Sequence, residues 1–352
     1  CFKDCTKVCF FLLSTNYFCW TLKTVSMKSK LLFLLALTIG IQLQAQTVSI
    51  PDTNFEQALI DLGKDTNGLN GNILLSEAEA IDSLKISDPA NNALLPNVSA
   101  KIKDLTGLES MTNLVYLDAG KNELSTVNVT ANTKLNQLFL GDNLLTTIDV
   151  SKNVLLERFG VMRNQITSLD VSALIELKDL FVHVNKLTVL DVSNNTKLSW
   201  LYAYDNQLSS LSLTGKASLD RLYVWKNELT SLDISTNTAL NRVYAGENKI
   251  NSIDLSNNIN LDKVGFWNQK PGFKLTSIDV SNLTKLTYLS IEKNDFTTVN
   301  VSNNPLLTHL YVGESSKITS VDVSSNVELL ELGVDGTSIN SIDVTKNTKL
   351  TH

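Results

Sequence analysis

From Glu123 onward the sequence repeats itself about every 21 residues, in ten full copies and one broken copy. ELSTVNVTANTKLNQLFLGDN (Glu123–Asn143) is followed at once by LLTTIDVSKNVLLERFGVMRN, and further on by KLTVLDVSNNTKLSWLYAYDN and ELTSLDISTNTALNRVYAGEN. Numbered within the unit, apolar residues hold positions 2, 5, 7, 13, 16 and 18, and Asn usually holds position 21. One such unit cannot bury its apolar residues alone. Stacked units can, each against its neighbours, so a strict period of this length dictates a solenoid.

The step L-x-x-L-x-h-x-x-N-x-L, as in Leu198, Leu201, Ala203, Asn206 and Leu208, resembles the leucine-rich repeat. The short unit with its L-D-V-S step looks like the repeats of secreted bacterial surface proteins, the internalin type included. The I-x-D-L-T-G-L-E opening at Ile102 looks like that type too. The resemblance implies a right-handed solenoid with a parallel β-sheet on its concave face, an irregular convex side and a small helical N-terminal cap. It implies binding as the usual work and brings no catalytic residues with it.

The residues before the repeat divide by composition. Residues 1–26 begin with Cys1 and hold all four cysteines, Cys1, Cys5, Cys9 and Cys19; an open reading frame begun too far upstream explains them. Residues 27–45 read as a signal peptide: Met27, basic Lys28 and Lys30, an apolar run from Leu31 to Leu43, and a cleavage site at Ala45. A membrane anchor is the alternative, but the run is shorter than the ~20 residues a span needs. After cleavage no cysteine remains, and the balance is 25 basic against 35 acidic residues, net −10. That excludes disulfides and a thiol nucleophile, and it argues against nucleic acid and anionic membranes as partners. The mature chain is expected to act outside the cell or on its surface, as a monomer, without inserting into a membrane.

Residues 46–100 depart from the period and read as the N-terminal cap; residues 101–352 are the repeats. Thr53-Asn54-Phe55-Glu56 has the form of a capping box, and Phe55, Ala58, Leu59 and Leu62 follow at helical spacing before Gly63. The next stretch, DTNGLNGNILLSEAEAI (Asp65–Ile81), resembles an EF-hand or dockerin-type calcium loop. Asp65, Asn67 and Asn70 match ligand positions, Gly71 the sharp turn, Ile73 the apolar anchor and Glu77 the closing carboxylate. The match has one residue too many near Gly68-Leu69, and Asn stands twice where Asp binds calcium better. The other reading is a plain Gly/Asn turn before a second capped helix at Ser76. Apart from that calcium, no cofactor is expected. The sequence stops at His352 partway through a unit, so a longer natural chain is expected.

Within the unit, the position-21 Asn residues are expected to satisfy backbone groups where each coil turns. The position-6 Asp residues (Asp149, Asp170, Asp191, Asp233, Asp254, Asp279, Asp322, Asp343) should face outward and bond nearby Ser and Thr groups. Positions 15, 17 and 19 flank inward positions 16 and 18 and should face the solvent side of the sheet. Every Trp and Tyr after residue 45 falls there, three and seven of them. Phe181, His183, Trp200, Tyr202, Tyr204, Arg221, Tyr223, Trp225, Arg242, Tyr244 and Trp267 make its densest part, the candidate binding surface. An exposed aromatic surface with Arg between has the composition of a binding hot spot. Three ligand readings stay open: an extracellular protein, a glycan stacked on the Trp and Tyr rings, or no ligand and a purely structural ladder. No Ser/His/Asp arrangement, phosphate loop or His/Cys cluster appears, and His183 and His309 lie six units apart, so no enzymatic activity is expected.

Overall fold

The computed structural model describes residues 46–352. The expectations for residues 1–45, namely the upstream segment, the signal peptide and the four cysteines, lie outside the described residues. The repeats form a twelve-stranded sheet running in sequence order from β3 (Ser83–Lys85) to β14 (Glu331–Gly333). Every pairing in it is parallel and joins equal positions of adjacent units, as in Trp200↔Arg221 and Tyr202↔Tyr223. From Gln137–Phe139 onward the strands cover positions 15–17, so each unit is one coil. No helix among the described residues is long and apolar enough to cross a membrane.

The core follows the period. In the second unit, Leu145, Val150, Leu156, Phe159 and Val161 (positions 2, 7, 13, 16 and 18) are each at most 1% exposed. Position 5 is the looser one: Ile148 is 8% exposed, and Val127, Leu169 and Leu211 are only partly buried.

Each coil turns at positions 20 and 21. Position 20 sits in the left-handed backbone region in ten consecutive units without glycine, from Lys121 (φ 54°) to Glu314 (φ 52°), Val184 included. That conformation costs an ordinary residue on the order of 1 kcal/mol. The Asn that follows offsets it. Asn227 Oδ1 accepts the Leu208 N–H at 3.0 Å, and its Nδ2 donates to the Ala203 and Val224 carbonyls, both at 3.0 Å. One side chain therefore ties its own turn to the preceding coil. The pattern recurs from Asn122 to Asn294. Where Gln269 replaces Asn, its amide makes the same bonds, to Ile250 N–H at 3.0 Å and the Ala245 carbonyl at 2.9 Å.

A second ladder runs at position 10, which the apolar template does not include. Asn153 Nδ2 donates to the carbonyls of Val129 and Asn132, both at 2.9 Å, and Asn195, Asn237, Asn258, Asn304, Asn326 and Asn347 repeat it. In the fifth unit Lys216 takes this place, fully buried, with Nζ donating to the Ser193 carbonyl at 3.1 Å. Burial lowers its pKa below the ordinary lysine value.

The cap differs from its expected form in two details. The first helix, Thr53–Asp61, is capped by Asp52 and not Thr53: Asp52 Oδ1 accepts from Asn54 and Phe55 N–H. The Glu56 that a capping box requires is turned inward, 1% exposed, toward the following loop. The second helix spans Leu75–Ala80, follows Leu74, and has no side-chain cap. Strand β1 (Thr47–Ser49) pairs antiparallel with β2 (Asn72–Leu74) across the first helix and its loop, and both strands are too short to show as alternation in the sequence. Asp52 Oδ2 also accepts from Lys103 and Asp104 N–H, which fastens the cap to the first repeat.

Removing a ladder rung leaves a buried N–H and two carbonyls unpartnered. We expect Asn227→Ala to cost roughly 2–4 kcal/mol in urea unfolding, and Asn227→Gln to cost clearly less, because Gln269 already serves in that place.

Candidate ligand-binding face

The sheet brings all eleven candidate residues onto one face over five adjacent strands, from Asp179–Phe181 to Lys263–Gly265 and the turn beyond, which carries Trp267. Phe181, Tyr202, Tyr223 and Tyr244 occupy position 17 of four successive coils. His183, Tyr204, Trp225 and Trp267 occupy position 19, with Gly246 between the last two.

None of the eleven is fully exposed; each is half-buried. This corrects the expectation of an exposed aromatic surface, and the cause is the coil spacing of about 4.8 Å. Equal positions on neighbouring coils stand at ring-stacking distance, so the rings cover one another. Tyr204 stacks on Trp225 at 3.8 Å between centroids and 9° between planes, and on His183 at 4.3 Å and 18°. Tyr202 stacks on Tyr223 at 4.4 Å and 20°, while Phe181 meets Tyr202 edge-on at 5.1 Å. What these columns present outward is ring edges and polar handles. Burial raises the Tyr204, Tyr223 and Tyr244 hydroxyls above the ordinary tyrosine value, so they stay protonated.

The arginines belong to the same structure. The Arg221 guanidinium lies 4.2 Å over the Trp200 ring and pairs with Asp220 at 3.3 Å. Arg242 pairs with Asp262 at 3.4 Å. Each arginine side chain remains about a third exposed, so these pairs order the guanidinium groups more than they stabilise the fold.

Two glycines shape the surface and were not singled out by the sequence pattern. A Cβ on Gly246 would stand 2.4 Å from Trp267 Cδ2 and 2.5 Å from Cε2, so the indole lies directly against that backbone. A Cβ on Gly265 would meet Trp267 Cζ3 and Tyr244 Cδ1, both at 2.5 Å. The signal was present in the sequence: small residues at positions 19 and 17 beside units that carry large rings there.

The position-6 carboxylates lie apart from this face. Asp254 Oδ1 accepts the Ser256 N–H at 2.8 Å, and the same bond recurs along the row. Asn128 and Asn300 make it without a charge. These carboxylates act as turn acceptors, and the backbone and hydroxyl of Ser256 hold the Asp254 carboxyl below its ordinary pKa.

In the cap, three of the four candidate metal ligands, Asp65, Asn67 and Asn70, fall in one loop, and Glu77 sits in the first turn of the second helix. Asp65 is 4% exposed and accepts the Asn67 N–H on Oδ1 at 3.0 Å. Asn70 donates to Asn67 Oδ1 at 3.0 Å, and Thr66 donates to Glu77 Oε1. Burial first, then the nearby Glu56 and Glu77 charges, raises the Asp65 pKa; the Asn67 bond opposes this.

Two solved structures share this architecture over most of the chain. The functional domain of InlJ from Listeria monocytogenes is similar with a TM-score of 0.70 and 26% identity, over 87% of this chain and 75% of that one. An internalin, InlF, from Listeria monocytogenes strain 4b F2365 is similar with a TM-score of 0.70 and 20% identity, over 88% and 98%. YopM from Yersinia enterocolitica follows the fold less closely, at 0.54 and 22% identity over 72% and 56%. No family model matches the sequence, and no curated protein matches it. This chain is an internalin-like leucine-rich repeat solenoid. The InlJ domain includes a cysteine ladder, whereas the buried ladders here are built from asparagine.

His183 provides a direct check on the ring packing. Burial first, then the Arg163 charge, lowers its pKa from 6.5 to about 4. The unfolded chain would take up that proton first, so this contribution to stability is complete above pH 6.5 and is lost as pH falls toward 4. We expect the NMR signals of the His183 ring to remain those of the neutral form at pH 5.5. A midpoint near 6.5 would mean that the ring is open to water and the column is not packed.

Proposed function

We propose that this chain is an extracellular or cell-surface recognition module that takes a protein ligand on the concave, solvent-facing side of the sheet, between Phe181 and Trp267. The observation that carries this reading is the self-stacking of the rings. Tyr202, Tyr204, Tyr223 and Trp225 spend their flat faces on one another. A sugar that binds by lying flat on an aromatic ring finds those faces taken. A protein surface can use what remains, namely ring edges, protonated tyrosine hydroxyls and the Arg221 and Arg242 guanidinium groups, in the Tyr, Trp and Arg composition of protein hot spots. Stacking also holds the side chains still before the ligand arrives, which lowers the ordering cost of binding. The location outside the cell rests on the leader-like residues 27–45 and the cysteine-free remainder.

Trp267 supports a second reading, a glycan site. Its indole rests on Gly246, and the following coil carries Ser290 and Glu292 at the aromatic positions. A ring seated in that way keeps one face for a sugar.

Titration with soluble extracellular glycoproteins and their deglycosylated forms, followed by tryptophan fluorescence, separates the two readings. A protein ligand should give a saturable shift that survives deglycosylation, weakens in ~0.5 M salt, and loses about tenfold or more in affinity in Arg221→Ala or Arg242→Ala. A shift that vanishes on deglycosylation, ignores salt and is abolished by Trp267→Ala contradicts the protein reading and supports the glycan one.

A further inference from the structure

The cap loop carries an electrostatic problem that the chain's own groups do not solve. Glu56 is 1% exposed, and its Oε1 accepts the backbone N–H groups of Asn70, Gly71 and Asn72 at 2.8, 2.6 and 3.0 Å. That oxygen pins the turn. Asp65 is different: Oδ1 takes the Asn67 N–H, but Oδ2 is out of solvent and has no hydrogen-bond partner among the described residues. Glu77 repeats the pattern, with Oε1 bonded to Thr66 and Oε2 buried and unpartnered. Glu56 and Glu77 each lie near enough to Asp65 for their charges to oppose its ionisation. A buried carboxylate oxygen with neither a donor nor a counter-charge is costly. Among the described residues, no lysine or arginine acts on the Asp65 carboxylate.

We propose that the Asp65–Glu77 loop holds a calcium ion, with Asp65 Oδ2 and Glu77 Oε2 as its anionic ligands and oxygens of Asn67 and Asn70 as neutral ones. The donor set is all oxygen, which suits a hard cation; zinc would want His or Cys, and magnesium demands near-ideal octahedral geometry. Among the described residues no three His, Cys, Asp or Glu side chains converge as a ready-made cage. Neutral oxygens must therefore complete the shell, and a low ligand charge places affinity in the weak range of extracellular calcium modules, Kd about 10⁻⁴–10⁻³ M. The ion would relieve the Asp65–Glu77 repulsion and fasten the loop to the second helix through Glu77. Since the same cap is bound to the first repeat through Asp52, calcium would stabilise the seal on the start of the solenoid.

The test uses the full chain, freed of metal by EDTA and then given ~10 mM calcium chloride or magnesium chloride, with Tm and isothermal titration heats as readouts. Calcium should raise the Tm by roughly 3–6 °C and give a saturable heat; magnesium should do markedly less. Asp65→Asn and Glu77→Gln keep the bonds to Asn67 and Thr66 but remove the charge. In each, the difference in Tm between calcium and EDTA should disappear. Equal Tm values for the wild-type chain in EDTA and calcium would overturn the proposal. So would a calcium shift that persists in both variants, because the ion would then bind elsewhere.

Discussion

The asparagine that closes each coil is the interaction on which the rest of this molecule depends. A 21-residue coil must reverse direction within a few residues, and here it does so through a left-handed residue that is almost never glycine. Such a turn is unfavourable alone and leaves backbone donors and acceptors facing the core. One amide side chain meets both difficulties, since its oxygen takes the orphan N–H and its nitrogen bridges the carbonyls of two coils. The second ladder, at position 10, repeats the bridging on another side of the coil. Apolar packing supplies most of the stabilisation, but it is not directional. The asparagines fix which coil position lies over which.

That register produces the functional surface. In-register parallel strands carry equal positions into one column, so a run of aromatics at positions 17 and 19 becomes a run of stacked rings. Gly246 and Gly265 interrupt the columns and give Trp267 a seat on the backbone instead. The result is a face whose rings are ordered before any ligand arrives and whose guanidinium groups are held by Asp220 and Asp262. Stability and recognition are drawn from the same side chains. The cap works in the same way: Glu56, which local sequence would assign to the helix start, is taken up by the loop at Asn70–Asn72.

What was legible in the sequence follows from this physics. The solenoid, the buried positions and the side of the sheet that carries the aromatics could be read from a strict period, because a repeat reports the same environment ten times over; the parallel sheet was implied by the resemblance to the leucine-rich repeat. The structural role of the position-21 Asn and the turn-bonding role of the position-6 Asp were readable for the same reason. The features missed are those set by partners distant in sequence. Alternation tells which side a ring is on but not that the next coil's ring covers it, so the face appeared more exposed than it is. Thr53 looked like a cap because the signature is local, while the competing demand on Glu56 comes from residues 14–16 positions later. The position-10 Asn ladder is legible in its own recurrence, but a template of apolar positions does not contain it.

Hydrogen exchange at the amides of Leu145, Leu187, Leu208, Leu229 and Ile250 tests the ladder most directly. Each amide donates to the side-chain oxygen of an Asn or Gln about one coil further on and lies outside the strands. If that side chain carries the turn, these amides exchange as slowly as the strand amides of Leu201, Leu222 and Val243. Exchange at the rate of exposed turn amides would mean that the asparagines do not hold the coils in register, and the ring columns would lose their foundation.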